Sequence, residues 1–210
     1  MVERVGHLAP DYELLRAWRG DDAAAGNELV RRHFASVFSF LRSKVPDHVD
    51  DLVQRTFLAC VESVERIDES RSFRAYLFGI ARRQLIYHYR RDRHSDRFDP
   101  MRESVHDAGG GSPSQHAAAR QEQRLVLEAL HRLPLDLQIP LELHYWETLS
   151  VAEVAAVLEI PPGTVKSRLH RARELLRDRL REQGASSALL EASLDHLRAL
   201  EASRRPEGAG

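Results

Sequence analysis

The sequence predicts an all-α protein built from two small helical domains joined by a flexible linker. Apolar residues recur at helical spacing in almost every patterned segment, and no convincing strand-like alternation is found. Between the two helical stretches, residues 109–114 are glycine, serine and proline and contain no core-forming side chain. We therefore expect domains over residues 11–93 and 119–183, a linker over 94–118, and a short C-terminal helical extension and tail over 184–210.

Four helices are predicted in the first domain. The first follows Asp11 and the second runs from Asp22 to about Lys44, where Pro46 stops it. The third begins near Asp50, and the fourth extends over about residues 72–91. Each carries an apolar stripe that we expect to face a common core, with Phe34 on the second stripe and Val61 on the third.

The strongest local signal lies in the second domain, between Leu149 and Leu176. Ser150 and Glu153 have the spacing of a capping box at a helix start. Pro162 suits the first turn of a following helix, where its missing N–H costs nothing. Two short helices joined by a tight turn are typical of a helix-turn-helix, whose second helix enters the major groove of DNA.

The second helix of this motif carries a local positive charge. From residue 166 to residue 181 there are seven Lys or Arg and two acidic residues, although the whole chain has a net charge of −1. A uniformly basic nucleic-acid binder is therefore excluded, and DNA contact must come from local patches. The alternative is a helical hairpin with a solvated basic face. The candidate DNA-binding residues are Thr164, Lys166, Ser167, Arg168, His170 and Arg171.

Composition predicts a cytoplasmic protein with no membrane insertion and no enzymatic activity. The single cysteine, Cys60, cannot form an internal disulfide, and no stretch has the roughly 20 apolar residues that span a bilayer. None of the 11 histidines lies in a convincing metal-ligand arrangement. Phosphate-binding loops, nucleophile motifs and paired catalytic acids are not found, so we expect neither metal nor cofactor.

Three segments resemble the sigma factors of the extracytoplasmic-function group. Residues 161–173, PPGTVKSRLHRAR, closely resemble the helix-turn-helix of their region 4. In the first domain, residues 50–58, DDLVQRTFL, resemble the region 2 segment that grips the polymerase clamp. Residues 72–82, SFRAYLFGIAR, resemble the segment that helps melt and read the minus-ten element. The resemblance covers about residues 11–92 and 120–182.

The resemblance implies a factor that binds core RNA polymerase and directs it to promoter DNA, with an anti-sigma protein as a further partner. The helix-turn-helix would read the minus-thirty-five element. By resemblance, the polymerase-binding residues are Asp50, Asp51, Gln54, Arg55 and Leu58. The minus-ten candidates are Arg74, Tyr76, Arg83, Tyr87, Arg90 and Arg91. Two alternatives remain for these residues: Tyr76 could belong to the core, and the arginines could form an ordinary solvated helix end. Two alternatives also remain for the whole protein, namely a stand-alone DNA-binding regulator and an enzyme with an appended DNA-binding domain.

The chain departs from the family pattern at five positions. Gln84 replaces a frequent asparagine, which bears on the exact minus-ten contact. Gly26 replaces a frequent aromatic residue, so we expect looser packing there. Thr148 and Glu159 stand where glycine is common, so we expect strain in two turns. Pro140 fits a helix only if that helix begins near Asp136.

Overall fold

A computed structural model describes residues 9–67, 72–92 and 125–183. Within these ranges the chain is helical and contains no strand, which confirms the predicted all-α class. The chain divides into two compact units between Leu85 and Ile86. The predicted linker, 94–118, and the predicted C-terminal extension, 184–210, lie outside the described residues, so the predicted domain limits remain predictions. No helix in the described ranges has the length and apolarity to cross a membrane.

The first unit begins with three helices that pack in chain order, followed by a fourth that crosses the division. Helix α1 packs on α2, and α2 packs on α3. The edge-to-face rings of Phe40 and Phe78, 5.3 Å apart, join α2 to α4. The bounds are α1 Asp11–Arg19, α2 Ala23–Arg42, α3 Val49–Glu62 and α4 Phe73–Asp92, with short 3-10 helices at Pro46–His48 and Val64–Arg66.

Gly26 allows the indole of Trp18 to lie directly against the backbone of α2. A Cβ added at Gly26 would be only 2.6 Å from Nε1 of Trp18, well inside van der Waals contact. Gly26 is itself buried. The expectation of looser packing at this glycine was therefore wrong, because the aromatic ring comes from α1 instead of from position 26.

The second unit holds the helix-turn-helix. Helix α5 covers residues 125–131, α6 Leu135–Tyr145, α7 Val151–Leu158 and α8 Pro162–Glu182. Helices α6 and α7 both pack on α8. The predicted capping box is confirmed: the Glu153 N–H donates to Ser150 Oγ at 3.2 Å, and the Ser150 N–H donates to Glu153 Oε2 at 2.8 Å. Pro162 occupies the first turn of α8, as predicted.

The two turns that flank α7 have the strained backbone expected from their lack of glycine. Thr148 has a φ of 55° and Glu159 a φ of 58°, both in the left-handed region that favours glycine.

Helix α6 begins at Leu135, close to the start that Pro140 requires. Pro140 then lies in the second turn of α6, where it lacks the N–H that would donate to the carbonyl of Asp136.

Candidate functional sites

Helix α8 presents a polar face because a regular apolar stripe anchors its other side. Val165, Leu169, Ala172 and Leu176 are buried, at the three- and four-residue spacing of a helix. Their burial turns the predicted DNA-binding side chains outward. Four of these are exposed, namely Lys166, Ser167, His170 and Arg171, whereas Thr164 and Arg168 are half-buried.

Arg168 lies on a flank of α8 and not at the centre of its exposed face. Its Nη2 is 4.0 Å from Oδ2 of Asp136, in the first turn of α6. Only 28% of the Arg168 side chain and 24% of the Asp136 side chain are exposed. The structure thus brings to the candidate DNA-binding face an acidic residue that sequence reasoning missed.

Two further contacts involve residues of α8 at or near its exposed face. His170 Nε2 is 3.7 Å from Glu174 Oε2, one turn further along α8, and both side chains are well exposed. Arg173 donates through Nη1 to the hydroxyl of the buried Tyr145 at 2.9 Å. Arg173 therefore ties α8 to α6, while His170 remains at the surface.

The outward face of α3 carries the predicted polymerase-binding residues. Asp50, Asp51, Gln54 and Leu58 are exposed, and Arg55 is half-buried. Asp51 and Arg55 form an ion pair one turn apart, with Oδ2 and Nη2 2.9 Å from each other. The orientation of this face is fixed by the buried side chains of Val49, Leu52, Val53, Thr56 and Cys60.

An aromatic strip beside this face was missed by sequence reasoning. The ring of Phe34 stacks on the rings of Phe38 and Phe57, with centroids 6.0 Å apart in each pair. Phe34 is 47% exposed and Val61 48% exposed, so their assignment to the buried stripes was wrong. The buried place next to Phe34 is taken by His33, whose Nε2 is 2.7 Å from Oδ2 of Asp11.

Four of the six minus-ten candidates form an exposed patch on α4. Arg83, Tyr87, Arg90 and Arg91 are all exposed along about two turns. Arg74 lies about two and a half turns before Arg83, which places it on the opposite side of the helix.

Tyr76 is the sixth minus-ten candidate, and its hydroxyl is engaged within its own unit. Tyr76 is half-buried and donates through its hydroxyl to Ser63 Oγ at 2.6 Å. This contact joins α4 to the end of α3. The hydroxyl of Tyr76 thus has a partner within the protein, and the minus-ten role of Tyr76 stays a prediction.

Comparison with known proteins decides the family. A family model described as Sigma-70 region 2 matches residues 29–95, and one described as Sigma-70, region 4 matches residues 123–176. The chain belongs to the sigma-70 family. It is similar to the ECF RNA polymerase sigma-E factor of Haemophilus influenzae, with 28% identity over 179 residues, covering 81% of this chain and 95% of that protein. The corresponding factor of Escherichia coli strain K12 is 29% identical over 176 residues, covering 79% and 92%.

Solved structures agree with this assignment. A structure of CnrH in complex with the cytosolic domain of CnrY matches with a TM-score of 0.58 and 29% identity, covering 87% of this chain and 97% of that chain. The sigma factor RpoE of Bartonella quintana, solved with the anti-sigma factor NepR, shares the fold with a TM-score of 0.57 at 24% identity. The chain is thus a sigma factor of the extracytoplasmic-function group, which directs RNA polymerase to promoters.

The buried cysteine of this sigma factor is shielded from solution chemistry. Cys60 is almost fully buried on α3, and burial raises the pKa of its thiol to about 12. The reactive thiolate is therefore scarce at neutral pH. Within the ranges that the structure describes, no cluster of three or more His, Cys, Asp or Glu side chains could hold a metal ion.

Proposed function

We propose that this sigma factor binds its partners through three helical surfaces, each with a separate function. The outward face of α3 binds the clamp of core RNA polymerase, through Asp50, Asp51, Gln54, Arg55 and Leu58. The exposed patch of α4 captures the minus-ten element as a single strand. Helix α8 reads the minus-thirty-five element as a duplex, while the polymerase supplies the chemistry.

The observation that carries this proposal is the geometry of α8. Its exposed face combines two cations, Lys166 and Arg171, with the hydrogen-bonding side chains of Ser167 and His170. Cations bind phosphates, and polar side chains in the first turns of a recognition helix reach base edges in the major groove. The strain at Thr148 and Glu159 supports the proposal, because strained backbone persists where the surrounding structure positions a functional element.

The surface of α4 suits a melted strand better than a duplex. Tyr87 is 58% exposed and lies one turn from Arg83 and one turn from Arg90 or Arg91. An exposed aromatic ring flanked by arginines can stack on an unpaired base while the arginines contact the backbone. We assign Arg83, Tyr87, Arg90 and Arg91 to this contact. Tyr76 and Arg74 are given the role of supporting α4, which carries the patch.

Membership of the family suggests where the protein works and which further partner it has. We propose that the protein is not an enzyme, works in the cytoplasm and is held inactive by an anti-sigma protein. The similar protein CnrH was solved with the cytosolic domain of CnrY, and the RpoE of Bartonella quintana with the anti-sigma factor NepR. We also retain the domain ranges 11–93 and 119–183, joined by a linker over 94–118.

Run-off transcription with core RNA polymerase on genomic fragments tests the proposed function. Discrete transcripts should depend on both the chain and the core enzyme. Their start sites would then define the minus-ten and minus-thirty-five elements. Absence of discrete transcripts from a folded chain that binds core polymerase would contradict the proposal.

A further inference from the structure

The ion pair between Asp136 and Arg168 differs from two exposed ion pairs within α8. It joins two helices and is about three-quarters buried, with exposed fractions of 24% for Asp136 and 28% for Arg168. The pairs His170–Glu174 and Arg181–Asp178 instead join neighbouring turns of α8, and each of their side chains is more than half exposed. Salt screens a partly buried pair less than an exposed one, and the Asp136 carboxylate lies within ion-pair distance of the Arg168 guanidinium.

Asp136 lies beside the flank of α8 where DNA phosphates would run. Thr164, Arg168 and Arg171 recur every three to four residues along this flank, whereas Ser167 and His170 lie nearer the centre of the exposed face. A duplex that places its bases over that centre places its phosphates along the flanks. A carboxylate here repels phosphates and attracts the guanidinium that would otherwise bind them.

Resting on the proposed reading of duplex DNA by α8, we infer that Asp136 limits the affinity of this helix for duplex DNA of any sequence. It holds Arg168 against α6 and thereby limits contact between this guanidinium and the phosphates of any duplex. Phosphate contacts supply essentially all of non-specific affinity. Since specificity is a difference of affinities, an acid that weakens binding to every sequence leaves discrimination to the base-reading side chains.

The test compares the full-length chain with its Asp136→Asn variant on a fluorescent duplex of random sequence. Titration at several salt concentrations gives the affinity and its salt dependence. The variant should bind about three- to fivefold more tightly at near-physiological salt. One added phosphate contact should steepen the slope of log affinity against log salt by about 0.9. The control is Asp178→Asn, which makes the same change in net charge at a more exposed site. It should leave the slope of log affinity against log salt unchanged.

A second arm separates this role from simple packing between α6 and α8. In an Arg168→Gln background, Asp136→Asn should no longer raise DNA affinity, because the cation that it releases is gone. Asp136→Glu keeps the charge and should keep the wild-type slope. An unchanged slope in folded Asp136→Asn, or an equal gain with and without Arg168, would overturn the inference. If Asp136→Asn does not fold, Asp136→Ser takes its place in the same cycle.

Failure of this inference is distinguishable from failure of the proposed function. With core polymerase, the wild-type chain should initiate from specific fragments. Asp136→Asn should leave the ratio of specific to random initiation within about twofold of wild type, because a phosphate contact strengthens binding to every sequence alike. Specific initiation by the wild-type chain, without a gain in duplex affinity for Asp136→Asn, overturns only the role of Asp136. Absence of specific initiation by the wild-type chain overturns the reading of promoters by α8.

Discussion

Reversal of the charge at Asp51 tests the polymerase-binding face of α3. The only ion pair described for this carboxylate is with Arg55, one turn along the same helix, and the two side chains are 50% and 40% exposed. Such exposed pairs contribute about 0.3–0.5 kcal/mol. Asp51 also lies in the first turn of α3, where a positive charge opposes the helix dipole. The Asp51→Arg variant should therefore fold, with a free energy of unfolding about 1–2 kcal/mol below wild type.

The loss of affinity for core polymerase should be larger than this loss of stability. A charge reversal within an interface, which also leaves a partner charge unpaired, costs about 2–5 kcal/mol. That range corresponds to a decrease in affinity of about 30-fold or more. Fluorescence titration with core polymerase gives the affinity, and circular dichroism with a thermal melt reports on the fold.

The control for this experiment is Glu65→Arg, which makes the same charge change in the short 3-10 helix after α3, away from the outward face. Its affinity for core should stay within about twofold of wild type. A folded Asp51→Arg variant that binds core as tightly as wild type would refute the assignment of this face. Equal losses in Asp51→Arg and Glu65→Arg would refute it too, because the effect would then be one of net charge.

Three further outcomes follow from the structure. Glu159→Gly relieves the left-handed φ of 58° and should raise the free energy of unfolding by about 0.5–1 kcal/mol in denaturant titrations, whereas Glu159→Ala should not. The hydrogen bond from His33 holds the pKa of Asp11 below its ordinary value, so its stabilising effect is present above the unfolded pKa and lost as pH falls through the folded pKa. The stability gap between wild type and Asp11→Asn should therefore shrink as the pH is lowered from 6 toward 3, and a constant gap would contradict this. Arg171→Ala should lower run-off transcription from promoters that depend on the minus-thirty-five element by about three- to fivefold, because it removes one phosphate contact, with Arg181→Ala as the control on the far end of α8.

The helix-turn-helix was predictable because its signals are local. Ser150 and Glu153 are one turn apart, Pro162 acts only on its own turn, and the buried stripe of α8 is readable as periodicity. The left-handed turns at Thr148 and Glu159 were expected from the resemblance, because the family commonly has glycine at both positions and glycine favours the left-handed backbone. In these places local chemistry and tertiary structure agree.

The features that sequence reasoning missed depend on distant partners. From the sequence alone, an aspartate in the first turn of α6 is expected only to interact favourably with the helix dipole. It is the packing of α6 on α8 that places Asp136 beside Arg168. Phe34 is exposed because the neighbouring His33 takes the buried position, held by Asp11 on α1. Periodicity alone favours the phenylalanine over the histidine for the core.

Dependence on core polymerase is the central claim, and promoter binding measures it most directly. The chain has a net charge of −1, and each of its two proposed DNA-binding surfaces offers only a few phosphate contacts. The isolated protein should therefore bind weakly and with strong salt dependence. The minus-ten contact also requires a melted strand, which free duplex does not present. Titration of a promoter fragment at near-physiological salt should show weak binding by the chain alone and tight, specific binding once core polymerase is added. Tight sequence-specific binding by the isolated chain, unimproved by core, would contradict the account.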